Sequence, residues 1–515
     1  ARAYEAAEQD TTAFETKLED EILKRYPGER GAALIKLLKK DQRDVAFVID
    51  DTGSMSEDIA GVKATASSLA DQIAAGDEAP RFSLYTFKDE TTLRGVTCDV
   101  NTLKSLVAPL FASGGGDCPE MSNQAMLSAA DTLENGGQII MATDASARDP
   151  EVGPTLLAVV QAKRININTI LTGNCVFDPV ARTPETLAEP DDVETTATGS
   201  VIPPSDLTST SSQRIFGALT ALSGGMLFRV NRSELPQAAS IILNRTRPSN
   251  ADLLYAIDIT DGSGKSYDVP VDSTMKDVTF VASRLQSSGA FGLTVARPDG
   301  TVVAPGDADV TFTTTTGVTA IRILNPTVGQ WRMSVSGSGR FVASVFGESS
   351  LNLTRFGFLQ PAVGQRPEVD YVPLPGLPVA GEPLQGEAVV DGDPAIVEFA
   401  LRSPDATTIA PVALDFVSEG RYQGSVTAPA SDFLVYATGL DASGARYQRV
   451  FRQFFKGQSV RVTPKPLFQF AAPGSNVSYE FAVTNLGSTP MTYVVRYDSS
   501  SRYRVTGTTS LSLGV

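Results

Sequence analysis

The segment Val45–Ile49, VAFVI, is apolar at every position. A strand of that kind must be covered on both faces, which points to the interior of a parallel sheet flanked by helices. The next segments carry the same architecture forward. Ile59, Val62, Ala66, Leu69 and Ile73 recur at spacings of three and four, the stripe of an amphipathic helix. Arg81–Phe87 (RFSLYTF) reads as a second strand, and TTLRGVT after a tight polar turn as an antiparallel edge strand. Met121–Leu133 is helical in pattern, GGQIIMATDAS brings another buried strand, and Leu156–Ala162 another helix. ININTILTG, RIFGALTALSGG, MLFRV and ELPQAASIILNRTR continue as strand, helix, strand and helix. This succession over residues 42–248 predicts a doubly wound α/β domain of Rossmann type.

The period changes after Asn250. Strand patterns rich in Val, Thr and Phe, such as KDVTFVAS, FGLTVARPDG and RFVASVFG, alternate with Gly, Asp and Pro turns. They predict a β-sandwich over 249–360 with Trp331, the single tryptophan, in its core. A Pro-rich linker is expected at 361–383, an immunoglobulin-like β module at 384–456, and a second, incomplete one at 457–515. Residues 1–41 read as a helical lead-in, with Phe14, Leu18 and Ile22 four apart. The start, ARAYEAAEQD, reads as that of a processed or trimmed chain.

The sequence of 515 residues has no histidine. That removes Ser-His-Asp and Cys-His nucleophile pairs, His-ligated zinc and a histidine pH switch. Metal chemistry must then be oxygen chemistry, which favours Mg²⁺, Ca²⁺ or Mn²⁺. Lys and Arg total 43 against 59 Asp and Glu, a net of −16, which disfavours nucleic acid and anionic membrane as partners. No apolar run approaches a membrane span. GSGKS at Gly262–Ser266 imitates part of a phosphate loop but lacks the strand–loop–helix setting. No paired acids or Ser-x-x-Lys constellation suggests an enzyme.

Where VAFVI ends, the sequence reads Asp50-Asp51-Thr52-Gly53-Ser54. In a doubly wound sheet, ligands sit beyond the carboxyl ends of the strands. Asp50, Thr52 and Ser54 therefore leave the first strand at the binding rim. Asp144, in MATDAS, ends its strand at the same rim, and SGGGDCPE supplies a loop with Asp117. Carboxylate and hydroxyl oxygens from three loops suit a hard cation.

DDTGSM followed by TDAS resembles the metal-ion-dependent adhesion site of von Willebrand factor A domains. GGGDCPEMS and LTGNC bring the chain closer to the A domain of the hemicentins, and NPTVGQW and DASGARYQRV extend the likeness more weakly. The resemblance implies a divalent ion, Mg²⁺ first, held by Asp50, Thr52, Ser54 and Asp144 and completed by a partner's carboxylate. Many A domains place a threonine in the second loop. Here Gly114-Gly115-Gly116-Asp117 offers no hydroxyl, so Asp117 is the expected substitute.

These readings give an extracellular adhesion or matrix-type binding protein, its A domain displayed on a stalk of β modules. The alternative is a structural subunit of a surface layer or filament that self-associates through those modules. Of the cysteines, Cys98 falls at the far end of the edge strand. Cys118 and Cys175 follow elements ending at the rim, and their hemicentin-like contexts agree with a disulfide between them. Sequons at Asn231, Asn244, Asn352 and Asn476 hint at secretion and glycosylation. The acidic stretch Val176–Thr210 is expected to modulate binding without joining the core. Without histidine, binding is expected to be flat between about pH 6 and pH 8.

Overall fold

The computed structural model describes residues 24–25, 44–75, 80–115, 118–175, 201–247, 249–286, 291–361, 371–374, 376–418, 420–465, 475–487, 489–495, 506–508 and 510–514. The expected lead-in therefore lies outside the described residues, except that Lys24 and Arg25 are helical.

The first unit is built on strands β1 (Val45–Asp50), β2 (Phe82–Phe87), β3 (Thr91–Thr97), β4 (Gln138–Ala145), β5 (Asn166–Cys175) and β6 (Leu227–Arg229). Their order is β3-β2-β1-β4-β5-β6, parallel throughout except for the antiparallel edge strand β3. The helices are α1 (Ile59–Ala74), α2 (Val100–Val107), α3 (Ser122–Thr132), α4 (Gly153–Lys163), α5 (Ser212–Leu222) and α6 (Leu235–Thr246). Alternation along β1 serves two cores. Val45, Phe47 and Ile49 pack with Leu69 of α1, Leu103 of α2 and Ile241 of α6. Ala46 and Val48 face Met126 of α3, Leu156 of α4 and Phe216 of α5. Helix α2 escaped the periodicity reading because it is short. Its signals are the Asp99 cap, which accepts from Thr102 N–H at 2.7 Å, and buried Leu103 and Val107.

The second unit holds β7 (Asn250–Asp261), β8 (Lys265–Val271), β9 (Asp277–Arg284), β10 (Phe291–Ala296), β11 (Val310–Thr314), β12 (Val318–Leu324) and the long β13 (Gly329–Glu348), which pairs with β7, β8, β9 and β10. Trp331 is fully buried there, packed on Phe280, and donates from Nε1 to Thr327 O at 2.8 Å.

Next comes a sandwich of two antiparallel sheets around Phe356, Phe358, Phe399, Phe433 and Phe455. Strand Asn352–Pro361 pairs with Pro383–Asp391, so by sheet membership it belongs to this sandwich rather than to the preceding unit. Of the expected linker, Tyr371–Pro373 pairs back onto Leu359–Pro361. Beyond Gly457, strand Val460–Lys465 pairs with Glu480–Asn485 and Met491–Val494 with Ser510–Leu513.

The units are not strung along a stalk. One continuous apolar core contains Phe216 and Leu219 of α5, Tyr255 and Val342 of the second unit, and Tyr436 and Phe454 of the third. Tyr255 Oη shares its proton between Ala221 O and Gly225 O, each 2.9 Å away, and Tyr436 Oη donates to Tyr255 O at 3.0 Å. Arg449 of the third unit and Asp272 of the second form an ion pair at 2.8 Å with both side chains wholly inaccessible. Such a pair is costly to break from one side, because the surviving charge stays buried.

The acidic stretch also departs from expectation. Residues 176–200 lie outside the described residues, but 201–210 belong to the fold. Ile202 is buried in the shared core, and Asp206 pairs with Arg340 of β13 at 2.7 Å, both nearly inaccessible. The polar composition of the whole stretch concealed a docked end.

Candidate metal centre

Strands β1 and β4 are neighbours, and the chain leaves them toward opposite edges of the sheet, so the crevice between their carboxyl ends is the switch point. Asp50 ends β1 and Asp144 lies at the end of β4, one on each side of it. Gly53 N–H donates to Gly114 O at 2.7 Å, which ties the first loop to the glycine loop. Four of the five expected ligands thus converge, while Asp117 lies outside the described residues.

Their oxygens form a chain. Thr52 Oγ1 donates to Asp50 Oδ1 at 2.6 Å, Thr52 Oγ1 and Ser54 Oγ are 3.0 Å apart, and Ser54 Oγ donates to Asp144 Oδ1 at 3.0 Å. A hydroxyl has one proton. Two hydroxyls therefore supply two protons for three contacts, and one pair of oxygens must face each other bare whenever both carboxylates are ionised. A further proton or a cation resolves that conflict. The other Asp50 oxygen accepts from Thr143 Oγ1 at 2.7 Å, a partner that the sequence reading missed.

The electrostatics agree. Burial pushes Asp50 up to about 6 against the opposing pull of the Thr143 and Thr52 hydrogen bonds, and the Asp144 charge adds to the rise. Burial also raises Asp144. The leading causes of both shifts include no Lys or Arg. The adjacent Asp51 behaves otherwise. It has Arg94 Nη2 at 3.0 Å and Lys88 Nζ at 3.9 Å, so the first aspartate faces the crevice uncompensated and the second is a structural anchor.

Gly115 has φ +65°, and a Cβ there would lie 2.8 Å from Thr52 Cγ2 and 3.0 Å from Glu120 Oε1. The positive φ and these side-chain neighbours favour glycine there. Buried Glu120 brings a carboxylate to that spot, and the sequence reading overlooked it. Among the described residues no cluster of three or more Asp, Glu, Cys or His could hold a metal, and the expected donors that are described comprise two carboxylates and two hydroxyls. That set still suits a hard cation that keeps part of its water.

Residues 44–232 match the family model described as von Willebrand factor A domain. These residues form a von Willebrand factor A domain. Residues 253–350 match the model described as hemicentin galactose-binding domain-like. Hemicentin-1 of Homo sapiens is 23% identical over 442 residues, 84% of this chain and 7% of that one. Hemicentin-2 of Mus musculus is 25% identical over 344 residues, 65% of this chain and 6% of that one. The chain thus spans a small fraction of the length of these relatives. A von Willebrand factor type A structure from Catenulispora acidiphila matches at 11% identity and a TM-score of 0.28, over 74% of this chain and 66% of that one. The A domain fold and the hemicentin likeness expected from DDTGSM, TDAS and GGGDCPEMS both hold.

Cys118 is disulfide-bonded and Cys98 is an exposed free thiol. Cys175 ends β5 beside Ala145, its side chain outside the described residues. Among the sequons, Asn476 is exposed. Asn231 Nδ2 donates to Thr316 Oγ1 and Asn352 Nδ2 to Asn250 O, both at 3.1 Å, while Asn244 Oδ1 accepts from Arg247 at 3.0 Å. No helix among the described residues is long and apolar enough to cross a membrane.

Proposed function

We propose that the A domain binds a divalent cation, Mg²⁺ first, through Asp50, Thr52, Ser54 and Asp144, and that a partner protein's carboxylate completes the coordination. On this reading the chain is an adhesion or matrix-type binding protein of the extracellular space, and it binds rather than catalyses. The observation that carries the metal is the proton deficit along Asp50–Thr52–Ser54–Asp144. A cation would remove it without protonating a carboxylate. Calorimetry of the full chain tests this. Mg²⁺ or Mn²⁺ should bind at millimolar concentration or below and raise the melting temperature, with roughly 2.7 kcal/mol gained at a hundredfold excess over Kd. Asp50→Ala should abolish both effects. No divalent-ion binding to the wild type would leave the A domain a structural spacer.

The second reading, a subunit that assembles through its β modules, is favoured by the edge strand Asp415–Ser418. Phe416 there is 64% exposed and Val417 is also exposed. Ordered polymers in purified protein, lost on Phe416→Ser, would support it.

A further inference from the structure

The loop between α2 and the crevice displays one aromatic ring to solvent. Leu110 is buried, and Lys63 of α1 donates to the carbonyls of Ala108 and Leu110, the latter at 2.8 Å. On the other side, Ser113 N–H donates to Asp51 O at 3.0 Å, and Gly114 O accepts from Gly53 N–H. Phe111 lies between these two anchors and is 69% exposed, the most exposed large apolar side chain among the described residues. Gly114 follows three positions on, at most about 11 Å of chain away. A ring fixed at both ends of its loop loses little freedom on binding, which is the usual basis of an interface anchor.

The charge beside it is also particular. Lys88 bonds the carbonyl of Ser113, and with Arg94 it faces the single carboxylate of Asp51. On this side of the glycine loop two cations therefore stand against the Asp51 carboxylate.

We infer that Phe111, with Lys88 and Arg94, forms a specificity subsite beside the metal, and that it takes an acidic partner segment with an aromatic or branched apolar residue close to its metal-binding carboxylate. This rests on the metal-dependent reading proposed for the A domain. The metal would hold the carboxylate and supply little choice among acidic partners. The ring would choose by what stands next to that carboxylate.

A phage library of seven-residue peptides with a fixed central Asp tests this on the full chain in Mg²⁺, with elution by EDTA. Aromatic and branched residues should be enriched next to the Asp. The best synthetic peptide should bind about tenfold more weakly to Phe111→Ser. That variant should melt as the wild type does and keep its Mg²⁺ shift, because the ring is largely exposed to solvent. EDTA-eluted peptides without apolar preference, or with the same preference on Phe111→Ser, would overturn the subsite while leaving the metal reading in place. Absence of EDTA-eluted binding together with absence of Mg²⁺ binding by calorimetry would overturn the metal reading and the subsite with it. Mg²⁺ binding with no EDTA-eluted peptide would overturn the subsite alone.

Discussion

Asp50-x-Thr52 and Asp441-x-Ser443 are the same local motif with opposite electrostatics. In each, the carboxylate accepts from the backbone N–H and hydroxyl two residues on, at 3.0 and 2.6 Å in the first and 2.8 and 2.7 Å in the second. Asp441 also accepts from Ala445 N–H at 2.9 Å and, across the unit boundary, from Ser273 N–H at 2.9 Å and its hydroxyl at 2.6 Å. These donors hold it well below the usual aspartate range, although burial opposes them. Asp50 has one further donor, Thr143, and a carboxylate across the crevice, and burial wins. A D-x-[ST] turn is therefore not a metal signal in itself. What it becomes depends on whether the protein or a ligand satisfies the anion.

Substitution should separate the two most sharply. Asp441→Ala strands the donors of Ser273, Ser443 and Ala445 and loosens the join between the second and third units. It should cost about 2–4 kcal/mol in denaturant unfolding, with or without Mg²⁺. A cost that disappears on adding Mg²⁺ would break the distinction.

Acid should act on them with opposite sign. Asp50 has a raised value in the metal-free fold, so the native state holds its proton longer than the unfolded chain does. Its contribution is favourable in acid and is lost as pH rises from the ordinary aspartate range through about 6, at a cost of roughly 2–3 kcal/mol. Asp441 is lowered, so its contribution is present above the ordinary range and is lost as pH falls below it. Metal-free Asp50→Asn should flatten the decline near pH 6 in urea midpoints, and the stabilisation by Mg²⁺ should be larger at pH 7.5 than at pH 5.5. Equal Mg²⁺ shifts at the two pH values would mean that Asp50 is ionised throughout. This moves the lower limit of binding into the range where the absence of histidine had suggested a plateau.

The smallest effect belongs to a third copy of the motif. Asp261 accepts from Ser263 N–H at 3.1 Å and its hydroxyl at 2.6 Å in an exposed turn. Asp261→Ala should shift the melting temperature by no more than about 1 °C. A larger loss would show that the turn itself, rather than burial and partners, sets the value of the motif.

Much of the A domain could be read from its pattern, since VAFVI and its successors carry a period that only a doubly wound sheet satisfies. Asp50, Thr52, Ser54 and Asp144 could be placed because strand ends share a rim. Thr143 was hidden because it sits inside a buried strand, where a hydroxyl looks like β propensity. Glu120 was hidden because its nearness to Thr52 depends on how the glycine loop folds back. The shared core was invisible for another reason. Tyr255 and Tyr436 are 181 residues apart, and nothing in either local pattern marks one as the other's partner. A Pro-rich stretch between β segments looks like a spacer whether or not the flanking units touch.

The join between units has a geometric consequence. Arg452 and Gln453 of the third unit bond to Asn166 and Gln161, at the amino end of β5 and the carboxyl end of α4. These contacts lie at the pole of the A domain opposite the metal rim. The rim therefore has a fixed heading relative to the second and third units, with no slack to swivel against them. Two such chains held side by side could grip a common target only where its acidic groups match the spacing and angle of the two rims. Avidity would then be a test of pattern, gained in full when the array fits and absent when it does not.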